Sequence, residues 1–241
     1  MSRARRMNFA SRSLGVVVAL PIEAGSFGLE HRRAGDCETF DWGMLAIAGL
    51  GFERAGDAAR TLIERGVRAL LSWGVAGGLS PALSPGDLLL PLRVIADQGE
   101  WNTDPELRAR LRCVLGGHAL EGGTLHCSRA PVTSVEEKKA LAARGMLAVD
   151  MESAAVATAA QRAGIPFVAV KAICDPASRE IPAAALRLLD DDGSLRWRAM
   201  PSLLHDGPRT WRGLNQLRED LAVARGSLWR AARALPRCAH S

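Results

Sequence analysis

Asp150, Glu152 and Asp175 stand at the ends of two apolar runs in the segment GMLAVDMESAAVATAAQRAGIPFVAVKAICDPAS, residues 145–178. A carboxyl group can donate a proton or oppose a developing cation. Burial helps decide which, because apolar surroundings raise its pKa and keep it protonated near neutral pH. Asp175 follows the apolar run Phe167 to Ile173 and precedes Pro176, so it reads either as such a shielded acid or as a turn residue. Lys171 lies inside the same run. The other basic residues are arginines apart from Lys138 and Lys139, and a lysine at that place suggests pairing with a carboxylate such as Glu152 or Asp175.

The elements that must position these groups follow from the pattern. Leu147 to Met151 reads as a short strand, and from Ser153 the alanines lose period-two alternation and read as a buried helix closed by Gly164. Pro166 opens the second strand. The two acidic clusters therefore end two strands joined through one helix, and in open α/β sheets such strand ends are where ligands bind. Upstream, Leu14 to Leu20 is a first buried strand leading into Pro21-Ile22-Glu23. Glu38 to Trp42 and Met44 to Ala48 read as a hairpin around Gly43. Gly49-Leu50-Gly51 precedes a helix over Glu53 to Arg65, where backbone N–H groups either meet an anion or make a tight turn. Val67 to Trp73 is a strand that empties into Gly74-Val75-Ala76-Gly77-Gly78, read as a loop whose missing Cβ atoms let the backbone approach a flat ligand.

Gly86 to Pro91, Arg93 to Ala96 and Thr124 to Ser128 read as further strands. Pro105 to Leu115, with Asp104 as N-cap, and Val135 to Arg144 read as helices. Trp101 reads as cover for the sheet, with a place in a ligand pocket as the other reading. Asp190-Asp191-Asp192 before Gly193 reads as a turn, and Trp197, Trp211 and Trp229 follow among many arginines. From Leu214 to Leu235 leucines recur at helical spacing with arginines between them. Two readings of this amphipathic extension, about 196–241, stay open: packing on the sheet or on a second subunit, or resting on anionic lipid.

Length and composition bound the rest. At 241 residues and 48% hydrophobic, the chain fits one α/β domain over 14–241, preceded by a polar basic arm over 1–13 expected to be disordered. Five scattered cysteines without CxxC spacing suggest neither a disulfide framework nor a zinc site, as suits a reducing cytoplasm. His118 and His126 have no companion at metal spacing. The N-terminal apolar run is too short for a signal peptide and is followed by a glutamate, and no run reaches membrane-spanning length. The net charge of +5 is mostly arginine without an aromatic-interleaved RNA motif, so nucleic acid is not expected as a partner.

VDMES, VKAICDPAS and the glycine-rich SWGVAGGLSPALSPGDLLLP (Ser72 to Pro91) together resemble the nucleoside phosphorylase and nucleosidase superfamily, whose purine-cleaving members include methylthioadenosine/adenosylhomocysteine nucleosidase. Past Asp175, IPAAALRLLDDDGSLRWRAMPSLL and the Arg- and Trp-rich tail look like the hopanoid-associated phosphorylases, which release adenine from adenosylhopane. The resemblance implies a three-layer αβα fold with a twisted, mixed central sheet and assembly as at least a homodimer. It implies Asp175 as general acid to the purine and Glu23 as the residue acting on the attacking water or the sugar hydroxyls, against the plainer reading of Glu23 as a solvated loop residue. It further implies Glu152 at the ribose hydroxyls, Met151 beneath the ribose, and Val75, Ala76 and Gly77 along the purine.

The chain departs from the methylthioadenosine enzymes at Val75, Lys171 and Cys174, where they carry serine, arginine and serine, and at Asp150, one methylene shorter than their glutamate. Phosphorolytic relatives place an arginine on the strand where this chain has Ser72-Trp73, so phosphorolysis and hydrolysis both stay open, with inorganic phosphate a candidate co-substrate and no other cofactor expected. Three activities compete: adenine release from adenosylhopane, the same cleavage of methylthioadenosine or adenosylhomocysteine, and non-catalytic nucleoside binding on the same fold.

Overall fold

A computed structural model describes residues 13–29, 31–188 and 207–239. Residues 1–12 of the expected arm, the acidic turn at 190–192 and Trp197 lie outside the described residues. Eleven strands form one mixed sheet among them. In chain order the elements are β1 (Leu14–Val18), α1 (Pro21–Ala24), β2 (Cys37–Phe40), β3 (Gly43–Ile47), α2 (Phe52–Glu64), β4 (Ala69–Gly78), β5 (Leu88–Leu90), β6 (Arg93–Ala96), β7 (Gly99–Asn102) and α3 (Pro105–Leu115). Then come β8 (Ala119–Glu121), β9 (Thr124–Cys127), α4 (Val135–Ala143), β10 (Met146–Asp150), α5 (Ser153–Ala163), β11 (Phe167–Asp175), α6 (Ala183–Arg187), α7 (Gly207–Ala232) and α8 (Leu235–Ala239).

Side chains that alternate along the central strands sort into two cores. Val17, Leu70 and Ala169 join the core beneath α2 and α5. Their neighbours Val16, Leu71, Val168 and Val170 join the opposite one, which also takes Leu107 and Leu111 of α3 and Ala224 and Leu228 of α7. Continuous apolar strands buried on both faces require this layering, so the fold is helix, sheet, helix. Leu62 of α2 and Leu228 of α7 are fully buried, and burial of a leucine side chain contributes about 1.5–3 kcal/mol. The small residues of α5 let it lie close to α2, with Ala155 in van der Waals reach of the space a Cβ would fill at Gly56.

β4 organises the site. Along its first half it pairs in parallel with β1, from Leu14↔Ala69 to Val18↔Trp73. Its other edge pairs in parallel with β11, from Phe167↔Leu70 to Asp175↔Gly77. Because β11 holds that edge at Gly77, the antiparallel pairing of β10 at Gly77 and Gly78 takes the edge that β1 has left. Residues 74–76 therefore have one edge open between the end of β1 and the end of β10.

One expectation is corrected here. The glycine-rich segment is not a loop: β4 runs through Gly74 to Gly78, held by β11 along one edge and by β10 on the other at Gly77 and Gly78. In the C-terminal helix, Leu228 packs into the core and Leu214, Leu217 and Leu221 are half-buried, whereas Trp211 and Trp229 face outward with Arg218 and Arg225. Trp101 is cover, as expected: it is buried, and its indole N–H donates to Gln161 at 3.1 Å.

Candidate active site

The open edge of β4 is filled by Glu23. Pro21 starts the short helix α1, and Glu23, in its first turn, reaches back so that Oε2 accepts from the N–H groups of Ala19 and Leu20, both at 2.9 Å, which is the glutamate half of a capping box, Leu20 having no side-chain acceptor for the other half. Oε1 accepts from the Val75 N–H at 2.8 Å. The Glu23 carboxyl is only 3% exposed; burial pushes its pKa up, while Lys171 and the three backbone donors oppose that rise. Gly74 is required by this contact, since a Cβ there would stand 2.3 Å from Glu23 Oε1.

Glu152 follows β10 and turns toward the start of α2. Its Oε1 accepts from the Gly51 N–H at 3.0 Å, so the glycine turn ahead of α2 meets a carboxyl group of this chain. Burial first, and the neighbouring Asp150 second, push the Glu152 carboxyl up to about 7, against the pull of Lys171 and Gly51.

Lys171 pairs with Asp150, Nζ to Oδ2 at 2.9 Å, rather than with Glu152 or Asp175 as the sequence suggested. It lies beneath the cavity and does not line it, so a direct substrate contact by Lys171 is not what the structure shows. Burial is the largest single influence on its ammonium and pulls the pKa down. Asp150, Glu23 and Glu152 together outweigh that, and the net direction is up. Asp150 Oδ2 also accepts from the Ser153 backbone N–H at 3.1 Å and from its hydroxyl. Its Oδ1 is buried with no partner in the structure.

Asp175 ends β11 at a register shift, Ile173 facing Ala76 and Asp175 facing Gly77, which leaves Cys174 as an extra residue. Such bulges re-aim the side chains beside them. Its surroundings are not the purely apolar shell expected from the sequence. Lys138 of α4, completely buried, donates to Asp175 Oδ2, to the Pro176 carbonyl at 3.1 Å and to the Arg179 carbonyl at 2.8 Å. Asp175 Oδ1 accepts from Cys174 Sγ at 3.2 Å and lies 3.3 Å from where a Cβ on Gly77 would be. Sequence reasoning passed over Lys138; the signal was its rarity, as one of three lysines in an arginine-rich chain.

Glu23, Val75, Ala76, Gly77, Asp150, Met151, Glu152, Cys174 and Asp175 all line one cavity of about 360 Å³. Its mouth is apolar, with Leu20, Leu50, Pro131, Val132, Ile181 and Leu186. A larger cleft of about 800 Å³ lies between α2 and α5 beside Trp101, but its acidic residues Glu53, Asp57 and Glu64 are all exposed. The smaller cavity gathers the buried carboxylates and is the candidate site. Among the described residues no cluster of histidine, cysteine and acidic side chains is arranged to hold a metal ion.

Four buried carboxyl groups thus face the glycine-bearing end of β4 within an αβα frame. The chain belongs to the phosphorylase superfamily, whose family model matches residues 43–195. A 5′-methylthioadenosine/S-adenosylhomocysteine nucleosidase of Mycobacterium bovis is 41% identical over 66 residues, a match that spans 27% of this chain and 26% of that relative's length. Among solved structures, the Neisseria meningitidis 5′-methylthioadenosine/S-adenosylhomocysteine nucleosidase in complex with methylthio-immucillin-A superposes with a TM-score of 0.68 at 18% identity, covering 93% of this chain and 98% of that one. The Helicobacter pylori futalosine hydrolase superposes with a TM-score of 0.65 at 18% identity, covering 95% and 97%.

Proposed function

We propose that this chain cleaves the N-glycosidic bond of an adenine nucleoside by hydrolysis and releases adenine. The observation that carries this reading is that Glu23, Glu152 and Asp175 line a single cavity against the 75–77 edge of β4. Cavities of roughly 300–1,000 Å³ suit small organic ligands, and the 360 Å³ here suits a nucleoside.

The proposed reaction puts a charge demand at each end of the breaking bond. The ribose becomes electron-poor, and Glu152, accepting from its 2′ and 3′ hydroxyls, opposes the growing positive charge. The purine leaves with an electron pair, and a proton on N7 neutralises it. Lys138 holds Asp175 by Oδ2, which leaves Oδ1 beside Gly77 to meet the base. A purine N7 placed against that oxygen sets two lone pairs face to face, which favours uptake of one proton from solvent onto Oδ1 as the base binds; Asp175 then passes that proton to N7 as the C–N bond breaks and returns to the carboxylate paired with Lys138. Glu23 Oε2 takes two backbone donors and Oε1 takes one. A carboxylate has about four acceptor sites, so one site stays available for a water aimed at the anomeric carbon, and Glu23 takes the proton that this water loses as its oxygen bonds that carbon. Met151 lies beneath the ribose and Ala76 and Gly77 beside the purine in this arrangement.

Hydrolysis is favoured over phosphorolysis by the cavity lining. It includes four carboxylates, Glu23, Asp150, Glu152 and Asp175, and no lysine or arginine among the described residues. Where an arginine would hold phosphate, Ser72 Oγ instead hydrogen-bonds Ser153 Oγ at 3.0 Å and the Trp73 indole donates to Ser26 at 3.2 Å. A dianion beside several buried carboxylates is electrostatically unfavourable.

The 5′ substituent is proposed to be the hopanoid of adenosylhopane. The resemblance of the tail supports this, as does the apolar mouth, where Leu186 is 41% exposed. A hopanoid is too large for the cavity and would leave it across this rim. The limited cavity size favours a second reading, methylthioadenosine, with its small substituent. Adenine release by purified protein from each substrate, with and without phosphate, separates them. Turnover of adenosylhopane that does not depend on phosphate supports the proposal; turnover of methylthioadenosine alone contradicts the lipid reading, and strict phosphate dependence contradicts hydrolysis.

A further inference from the structure

The outer face of α7 has no role in the chemistry above. The inner face of its C-terminal half is committed, with Ala224, Leu228 and Ala231 in the core, and the helix packs against β11. On the outer face, Trp211 and Trp229 are 38% and 48% exposed, two of the six large exposed apolar side chains among the described residues. Trp211 and Trp229 stand 18 residues apart, which is five whole helical turns, so both indoles share one line about 27 Å long. Arg218 and Arg225 fall on nearly the same line between them, and both are exposed. Of the acidic residues of α7, Glu219 accepts from Asn215 and Asp220 is paired with Arg179.

We propose that this face is a docking surface for an anionic lipid bilayer, lying parallel to it with the indoles at headgroup depth and the guanidinium groups on the phosphates. Exposed tryptophans interleaved with arginine on an otherwise packed helix match the two demands of such a boundary. Charge complementarity favours this occupant over a second copy of the chain, because a two-fold contact through the same face would set Arg218 and Arg225 against their own counterparts. It is also favoured over single-stranded nucleic acid, since the Arg233 guanidinium already covers one face of the Trp229 ring, 4.6 Å from its centroid, where a base would stack. No helix among the described residues is long and apolar enough to cross a membrane, so the contact is peripheral. Docking here would act close to the site. Asp220 on α7 pairs with Arg179, whose carbonyl accepts from the same Lys138 that holds Asp175.

The proposal adds to the lipid reading of the substrate without depending on it, because vesicle binding and adenine release are measured separately. The full chain is sedimented with vesicles of phosphatidylglycerol and phosphatidylcholine, and with phosphatidylcholine alone. The wild type is expected to bind the anionic vesicles, with its tryptophan emission quenched by brominated acyl chains. Arg218→Glu and Arg225→Glu are each expected to weaken partition by at least about fivefold. Trp211→Ser with Trp229→Ser is expected to abolish the quenching while the melting curve by circular dichroism stays that of wild type. Failure to bind anionic vesicles, undiminished binding by these variants, or a defect of the variants in self-association or RNA binding instead overturns it.

Discussion

Lys138 and Asp175 form an ion pair with both side chains sealed from solvent, one on α4 and the other at the end of β11. The remaining two protons of the ammonium are taken by the carbonyls of Pro176 and Arg179, so this lysine fixes the backbone after Asp175 as well as the carboxylate itself. Removing one member of a buried pair leaves an uncompensated charge and typically costs about 3–5 kcal/mol. Lys138→Met is therefore expected to lower the denaturant midpoint strongly and adenine release at least about a hundredfold. The double variant Lys138→Met with Asp175→Asn is expected to recover stability relative to Lys138→Met alone, because no unpaired charge then stays buried. Equilibrium denaturation of the three proteins checks this.

Glu152 gives the protein a pH dependence whose sign is fixed. Burial, followed by Asp150, raises its folded pKa from 4.5 to about 7, so between those values the folded chain holds a proton that the unfolded chain has released. Stability is greatest below pH 4.5 as far as this group is concerned, and falls by about 3 kcal/mol as pH rises to 7. Glu152→Gln is expected to flatten that slope in denaturation curves taken across the window. Catalysis runs the other way, since the ionised form accepts the ribose hydroxyls, and kcat/KM is expected to rise through an acid limb near pH 7. Lys171 lowers the Glu152 pKa, so Lys171→Met is expected to move that limb to higher pH.

Gly74 is predicted to be intolerant of even a methyl group. A Cβ there meets the Glu23 carboxyl at 2.3 and 2.9 Å from its two oxygens, and Glu23 is held by three backbone donors that cannot follow it. Gly74→Ala is expected to lower adenine release about a hundredfold or more. Gly56→Ala, where the nearest atoms are 3.5 Å away or farther, is expected to leave it unchanged. Steady-state assays on the two variants make the comparison.

Much of this arrangement was legible in the chain. The strand–helix–strand unit from Met146 to Asp175 announces itself because its apolar runs are short, its helix is alanine-rich and Gly164 closes it with a positive φ. Asp104, expected as an N-cap, does accept from the Leu107 N–H at 2.8 Å. The path of β4 through five residues with three glycines was not legible, since that composition by itself reads as a loop. It becomes a strand because β11 pairs along one edge, β10 takes the other at Gly77 and Gly78, and the Glu23 carboxyl accepts from Val75 in the gap between. The short strands β7 and β8 were missed for a related reason: residues such as Glu100, Asn102 and Glu121 carry no apolar pattern, and pairing alone defines them. Lys138 was hidden by its polar neighbours on α4, Glu136, Glu137 and Lys139, which make that turn look solvated. Its burial is set by the approach of β11, which no local pattern records.

The central claim is that Asp175 delivers the proton that lets the purine leave. Asp175→Asn keeps the shape of the side chain, and removing a positioned group of this kind costs on the order of 3 kcal/mol in the transition state. Single-turnover adenine release at saturating substrate measures it directly, with retention of the folded state checked by circular dichroism. The account predicts a fall of at least about a hundredfold for Asp175→Asn; release within tenfold of wild type would contradict it.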